Sequence, residues 1–189
     1  VDGVLLGSVL QNPATSNVAR DAALAAGIPN RVPASTVTMA CISANRAISD
    51  AGLQILQGQA SVVLAGGVES LSDVPVGLGK EARRRLQRAR GAKSARDYLE
   101  LIRGLSASDL LPRAPAVAEF STGETMGESA DRLAAAFGVS REAQDEYALR
   151  SHRRAAEATA AGKYARQVVP FAPAPDFRLL ESDGTIRVD

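Results

Sequence analysis

The chain has no tryptophan, one cysteine, one histidine and two methionines among its 189 residues, and aromatic residues make up only 4% of it. A single cysteine excludes an internal disulfide and any two- or four-cysteine metal pattern, and it fits a reducing, intracellular setting. No apolar run approaches the roughly 18 residues that a membrane-spanning helix needs. Neither sign of charge dominates: 22 basic residues stand against 21 acidic ones, a formal net charge of +1, which argues against a nucleic-acid partner. Neither an initiator methionine nor a charged leader precedes Val1-Asp2-Gly3-Val4-Leu5-Leu6-Gly7, so no signal peptide is visible and the chain is expected to be a piece of something longer. There is no internal repeat.

What is present is an Ala-rich sequence, 46% hydrophobic, of the composition of a soluble α/β protein. A Val/Leu run at 4–10 reads as a first strand, and Thr15 or Ser16 can cap a helix that Gly27 ends. Residues 34–40 and 61–65 read as further strands. The stretch between them suits a helix that carries apolar residues on two sides: Ala44, Ala47, Ile48, Ala51 and Ile55 on one stripe, Leu53 and Leu56 on another. Such a helix is expected to be buried. Two parallel strands joined in this way form a βαβ unit, whose ligands gather at the carboxyl ends of the strands, where Cys41 lies. From Lys80 the texture changes, with nine Lys and Arg against three acids between 80 and 104. Helices follow near 128–137, closed by Gly138, and from Ser140 to Gly162, and 168–171 reads as a short edge strand before a proline-containing tail.

A thiol acts as a nucleophile in its thiolate form. A strand ending at Ala40 and a helix beginning at Ile42 would aim unpaired N–H groups and the positive end of a helix dipole at the Cys41 sulfur. The same donors could bind the oxyanion formed when an acyl carbonyl is attacked. From its position alone Cys41 could equally be a small buried hydrophobe.

The flanking sequence is more specific. Thr36-Val37-Thr38-Met39-Ala40-Cys41-Ile42-Ser43-Ala44-Asn45-Arg46-Ala47, followed by Val62-Val63-Leu64-Ala65-Gly66-Gly67-Val68-Glu69-Ser70-Leu71-Ser72, resembles the nucleophile strand, buried helix and Gly-Gly-x-Glu segment of thiolases. Gly7 to Gln11 and Asn17-Val18-Ala19-Arg20 resemble the family's opening strand and helix. Thr125-Met126-Gly127-Glu128-Ser129-Ala130 and Ser140-Arg141-Glu142-Ala143-Gln144-Asp145 resemble its Met-Gly and Ser-Arg-x-x-Gln-Asp segments. The likeness runs through nearly the whole chain in family order.

This resemblance implies a thiolase-like α/β fold, incomplete here. Residues 1–77 would form part of the N-terminal half-domain, and 78–189 a mainly helical loop domain with the basic segment at 80–104. It implies that Cys41 attacks a 3-ketoacyl-CoA, releases acetyl-CoA and passes the remaining acyl group to a second coenzyme A, with no permanently bound cofactor. Thr125 and Met126 match the place where thiolases line the pantetheine or acyl end of the substrate; a methionine buried at a helix start is the plainer reading of Met126. The family's proton-transfer groups lie in Gly-His-Pro and Cys-x-Gly-Gly segments, and neither is in this chain. His152, within Arg150-Ser151-His152-Arg153-Arg154, reads as a solvated helix residue, and Glu69, Ser43 and Asn45 as structural hydrogen-bonding groups. Two other functions are compatible with the sequence, a ketoacyl-synthase-like condensing enzyme and a non-catalytic acyl-CoA-binding scaffold.

The basic segment, and the sequence from Glu119 to Gly127, look most like the long-chain 3-ketoacyl-CoA thiolases of fatty-acid β-oxidation complexes. The implied partners are CoA and acyl-CoA, a second copy in a dimer or tetramer, and the hydratase/dehydrogenase subunit of such a complex. The location would be cytoplasmic, or mitochondrial in a eukaryote. Leu86, Tyr98, Leu99, Leu101, Ile102 and Leu105 among the arginines would allow peripheral contact with anionic lipid; an exposed, solvated helix is the simpler alternative.

Overall fold

The structure is a computed structural model that describes residues 1–103, 105–174 and 177–187. Gly104 at the end of the basic segment and Pro175 in the tail lie outside the described residues, as do the side chains of Glu100 and Ile102.

The fold has the expected α/β class. Its centre is a parallel sheet of β1 (Gly3–Gly7), β2 (Ala34–Val37) and β3 (Val63–Gly67) in the order β2-β1-β3. The opening strand therefore lies between the two strands that the helix α2 (Ser43–Leu56) connects, rather than beside them. Strand periodicity then sorts the core into two layers. Val4, with Leu6 packed nearby, meets Ala19, Ala23 and Val32 of the α1 (Val18–Ala25) side. Leu5 points the other way, onto Ala47 and Ala51 of α2. A central strand buried on both faces needs this continuous apolar run. The Asp2 carboxylate braces the start of the sheet by accepting the N–H groups of Ser61 (2.7 Å) and Val62 (3.0 Å).

Two local expectations shift. The cap of α1 is Asn17, not Thr15 or Ser16: its side-chain oxygen accepts the N–H of Arg20 and the hydroxyl of Thr36, while its amide donates to the carbonyl of Ala34. Tertiary partners on β2 thus decide which of three neighbouring polar residues caps the helix. α2 is buried on one side only. Ser43, Ala47 and Ala51 face the sheet, whereas Ile48 is 55% and Leu56 83% exposed. The sheet covers only the small residues of the first stripe; Ile48 and Ile55 of that stripe stand exposed, as do Leu53 and Leu56 of the second.

Contacts divide the chain into two compact units, 1–116 and 117–189. The basic segment falls in the first, as α3 (Lys80–Ala89) and α4 (Ala95–Ile102), followed by the short α5 (Ala107–Leu110). Among the named elements, α3 packs on α4 and α5 and on no strand. Leu78, Ala82, Leu86, Tyr98, Leu101 and Leu110 line an apolar hollow of about 320 Å³ between them. The Arg85 guanidinium, paired with Glu81, ties the group together by donating to the carbonyls of Leu101 and Arg103.

The second unit holds α6 (Met126–Ala136) and α7 (Arg141–Ala160), capped by Thr125 and by Ser140. Gly138 and Gly162, just past their ends, take the positive φ that closes a helix. The expected strand at 168–171 reduces to one antiparallel bridge between Phe171 and Leu180. Pro170 has no N–H with which to extend a ladder.

Candidate active site

The carboxyl ends of the three strands and the first turn of α2 meet at one place. Gly7 ends β1 and Gly67 ends β3, and both are glycine for a steric reason: a β-carbon on Gly7 would stand 2.3 Å from the Ala44 backbone nitrogen, and one on Gly67 would stand 2.8 Å from the Ala44 methyl. Two strand ends thus lie directly against the helix N-terminus. The gap between them is a hollow of about 370 Å³ lined by Gly7, Ser8, Val9, Ala40, Cys41, Ser43, Ala44, Gly67, Val68 and Glu69.

Cys41 is exposed in this hollow and is the chain's only cysteine. It sits in a tight turn, Met39 to Ile42, between β2 and α2. Ala40, the residue before it, has φ +45°, a left-handed conformation that costs a residue with a side chain about 1 kcal/mol or more. The turn is closed by the N–H of Ile42 donating to the carbonyl of Met39 (3.2 Å) and that of Ser43 to the carbonyl of Ala40 (3.1 Å). The Ser43 hydroxyl, on a residue only 4% exposed, accepts the N–H of Met39 (2.7 Å) and donates to the carbonyl of Ala40 (2.6 Å). The Cys41 N–H is not used in these bonds, and α2 has no side-chain hydrogen bond at its N-cap, Ile42. The helix thus starts with amide donors and the positive end of its dipole beside the thiol.

Glu69 fixes the opposite rim. Its two carboxylate oxygens separately accept the N–H groups of Val9 (2.8 Å) and Leu10 (3.1 Å), which holds the loop after β1 against the loop after β3. Thr38 continues the bracing: its hydroxyl donates to the Ser8 carbonyl and accepts from the Gln11 amide. A second hollow of about 240 Å³, lined by Gln11, Asn12, Thr15, Thr36 and Ser70 among others, shares Ser8, Val68 and Glu69 with the first. Glu69 is a strand-end hydrogen-bonding group, and its partners lie about sixty residues away, beyond the reach of any local sequence pattern. The Gly-Gly pair before it and Gly7 were the available signals of close packing.

Thr125 and Met126 belong to the second unit. Thr125 is the N-cap of α6: its hydroxyl accepts the Glu128 N–H (3.3 Å), and its own N–H donates to the Glu128 carboxylate (2.8 Å). That bond, and the Thr125 hydroxyl behind it, hold the Glu128 carboxyl below the ordinary carboxylate range. Met126 is 59% exposed, not buried as the plainer reading of the sequence had it. It opens the helix and has no core to enter there. His152 lies on α7, where Nδ1 accepts the Arg187 N–H (3.1 Å). Among the described residues no cluster of His, Cys, Asp and Glu could hold a metal ion, and no helix is long and apolar enough to cross a membrane.

The geometry defines a class first: a parallel α/β sheet with a thiol on the strand-to-helix turn at its carboxyl edge, suited to acyl transfer. The family described as "Thiolase, N-terminal domain" matches residues 1–187, and the chain belongs to the thiolase family. The chain is 46% identical over 188 residues to a protein of Caenorhabditis elegans named "Probable 3-ketoacyl-CoA thiolase", covering 100% of this chain and 42% of that protein. It is 53% identical over 171 residues to the human "Trifunctional enzyme subunit beta, mitochondrial", covering 90% of this chain and 36% of that one. The crystal structure of the Bacillus anthracis acetyl-CoA acetyltransferase superposes with a TM-score of 0.76 at 33% identity, over all of this chain and 44% of that one. The chain thus spans less than half the length of these relatives.

Proposed function

We propose that this chain supplies the nucleophile of a 3-ketoacyl-CoA thiolase. The Cys41 thiolate attacks the 3-keto carbon, and the bond between C2 and C3 breaks. The electron pair left on C2 takes a proton, and acetyl-CoA departs, leaving the shortened acyl group as a thioester on Cys41. The thiol of a second CoA then attacks that thioester, giving the shortened acyl-CoA and restoring Cys41. The open amides at the start of α2, with the Cys41 N–H, are suited to stabilise the oxyanion in each half-reaction. The proton-transfer groups that the family resemblance assigns to Gly-His-Pro and Cys-x-Gly-Gly segments are not among these 189 residues. CoA and acyl-CoA are substrates in this scheme, and no permanent cofactor is required.

The observation that carries the proposal is the placing of an exposed Cys41 in a hollow between two strand-end glycines and a helix N-terminus. The names of the relatives favour thiolysis over a decarboxylating condensation and over a purely scaffolding role. The test is Cys41→Ala in the protein at its full natural length. Thiolysis of a 3-ketoacyl-CoA should fall by at least about 10⁴-fold, as expected when a covalent nucleophile is removed; activity near that of the unchanged protein would refute it.

Several finer features are part of the same proposal. The likeness to trifunctional-enzyme beta subunits supports a role in fatty-acid β-oxidation on longer acyl chains, association as a dimer or tetramer and with a hydratase/dehydrogenase subunit, and a mitochondrial location in a eukaryote. Thr125 and Met126 would line the pantetheine or acyl end of the substrate, so Met126→Ala should raise KM for acyl-CoA with kcat little changed. The segment 80–104 would contact anionic lipid. Among the described residues Arg83, Arg84 and Arg88 make no ion pair, although part of the segment's apolar surface is spent on the hollow between α3, α4 and α5. Co-sedimentation with anionic vesicles that weakens with salt is expected; binding indifferent to lipid charge would overturn it.

A further inference from the structure

We infer that Ser43 is a positioning residue for the Cys41 chemistry, holding the turn in the conformation that presents the thiol. The inference deepens the proposed function and rests on it. Ala40 sits at φ +45°, in the region that favours glycine, and Cys41 follows it directly. A backbone in that region stays there only when its surroundings enforce it. The turn's backbone bonds tie Ile42 and Ser43 to the carbonyls of Met39 and Ala40 but leave the Met39 N–H, the entry to the strained residue, to be held by a side chain. The two ends of the Ala40 unit are gripped by one hydroxyl: Ser43 Oγ accepts from the Met39 N–H at 2.7 Å and donates to the Ala40 carbonyl at 2.6 Å. A serine hydroxyl has one proton to give, and here it goes to Ala40, leaving the lone pairs to receive Met39.

The clamp is rigid because Ser43 is itself fixed. It is buried in the first turn of α2, where the backbone abuts Gly7: a β-carbon on that glycine would stand 2.3 Å from the Ser43 carbonyl carbon. Displacing the strand end from the helix would therefore require breaking the packing of β1 on α2. Ser43 lines the same hollow as Cys41, but its hydroxyl is engaged by the backbone, so it acts through the turn rather than on substrate. Without the hydroxyl the Met39 N–H loses its partner, and the Ala40 carbonyl is left with the Ser43 N–H at 3.1 Å alone, so the grip on the strained Ala40 unit is halved.

The experiment uses the protein at full length and two readouts, steady-state thiolysis and the rate at which iodoacetamide alkylates Cys41. In Ser43→Ala, kcat is expected to fall about 10- to 100-fold, the range that a displacement of the order of 1 Å can cost, with KM within about twofold, and alkylation should slow as well. Adding Ala40→Gly to Ser43→Ala should recover much of both rates, because glycine holds positive φ unaided. Ser43→Thr, which keeps the hydroxyl, should stay within a few-fold of the unchanged protein, and it remains informative if Ser43→Ala does not fold. Unchanged kcat and alkylation in Ser43→Ala, with only a lower melting temperature, would overturn the inference. So would a double variant with no recovery. Because alkylation needs no turnover, it still tests Ser43 if Cys41→Ala retains thiolysis and the proposed reaction fails.

Discussion

A β-carbon on Gly7 would lie 2.3 Å from the backbone nitrogen of Ala44, closer than any real carbon atom sits to such a neighbour, so β1 ends in direct backbone contact with α2. The approach brings the helix start to the strand ends and places the hollow beside Cys41. Gly7→Ala must push the helix off the sheet, at a cost expected to exceed about 3 kcal/mol, the upper part of the usual overpacking range. Gly67→Ala meets a side-chain methyl at 2.8 Å and the Gly7 carbonyl at 3.2 Å, and should cost less. Urea unfolding of the two variants checks the order; equal midpoints would contradict the packing argument.

Glu69 gives each carboxylate oxygen its own backbone donor, Val9 and Leu10. Glu69→Gln keeps the size but turns one oxygen into an amide NH2, which donates and cannot accept. The loop after β1 should loosen, with Tm lower by about 2–4 °C, the shift expected for the loss of about 1 kcal/mol from a domain of this size. Proteolysis between Ser8 and Ser16 should quicken alongside. An unchanged melting curve and cleavage pattern would mean that the loop is held by its other bonds.

Acid should fray two helix starts. The Thr125 N–H, and then its hydroxyl, hold Glu128 below its ordinary value of 4.5; the Lys93 N–H, followed by the hydroxyl and N–H of Ser94, holds Asp97 below 3.8. A carboxylate whose folded pKa is depressed contributes stability that is fully present above its unfolded pKa and is lost as pH falls through the folded one. Helical circular dichroism should therefore hold steady down to about pH 4.5 and decline below it. Glu128→Gln should begin with slightly less helix and lose less of it in acid. A Glu128→Gln titration that overlays that of the unchanged protein would contradict the capping role.

Much of this was legible in the sequence. The strands follow from short β-branched and apolar runs, the ends of α1, α6 and α7 from Gly27, Gly138 and Gly162, and the position of Cys41 from the change of period at Ala40. What was not legible depends on partners distant in sequence. The place of β1 between β2 and β3 is a property of the sheet, not of any strand's own residues. Asn17 outcompetes Thr15 and Ser16 as a cap because Thr36 and Ala34 hold it. α2 carries two apolar stripes, and periodicity cannot say that the sheet covers only Ala47 and Ala51 and leaves Ile48, Ile55, Leu53 and Leu56 exposed. At the candidate site the cysteine was readable, but the Ser43 clamp and the two-handed grip of Glu69 were not, since both depend on where backbone N–H groups come to lie.

In the proposed reaction Cys41 carries the acyl group. The most direct measurement is the mass of the Cys41-containing peptide after the full-length protein is mixed with a 3-ketoacyl-CoA in the absence of free CoA. This peptide should gain the mass of the shortened acyl group while acetyl-CoA is released, and adding CoA should remove the modification. Reversible binding of the acyl-CoA with Cys41 left unmodified, or an adduct on another residue, would contradict it.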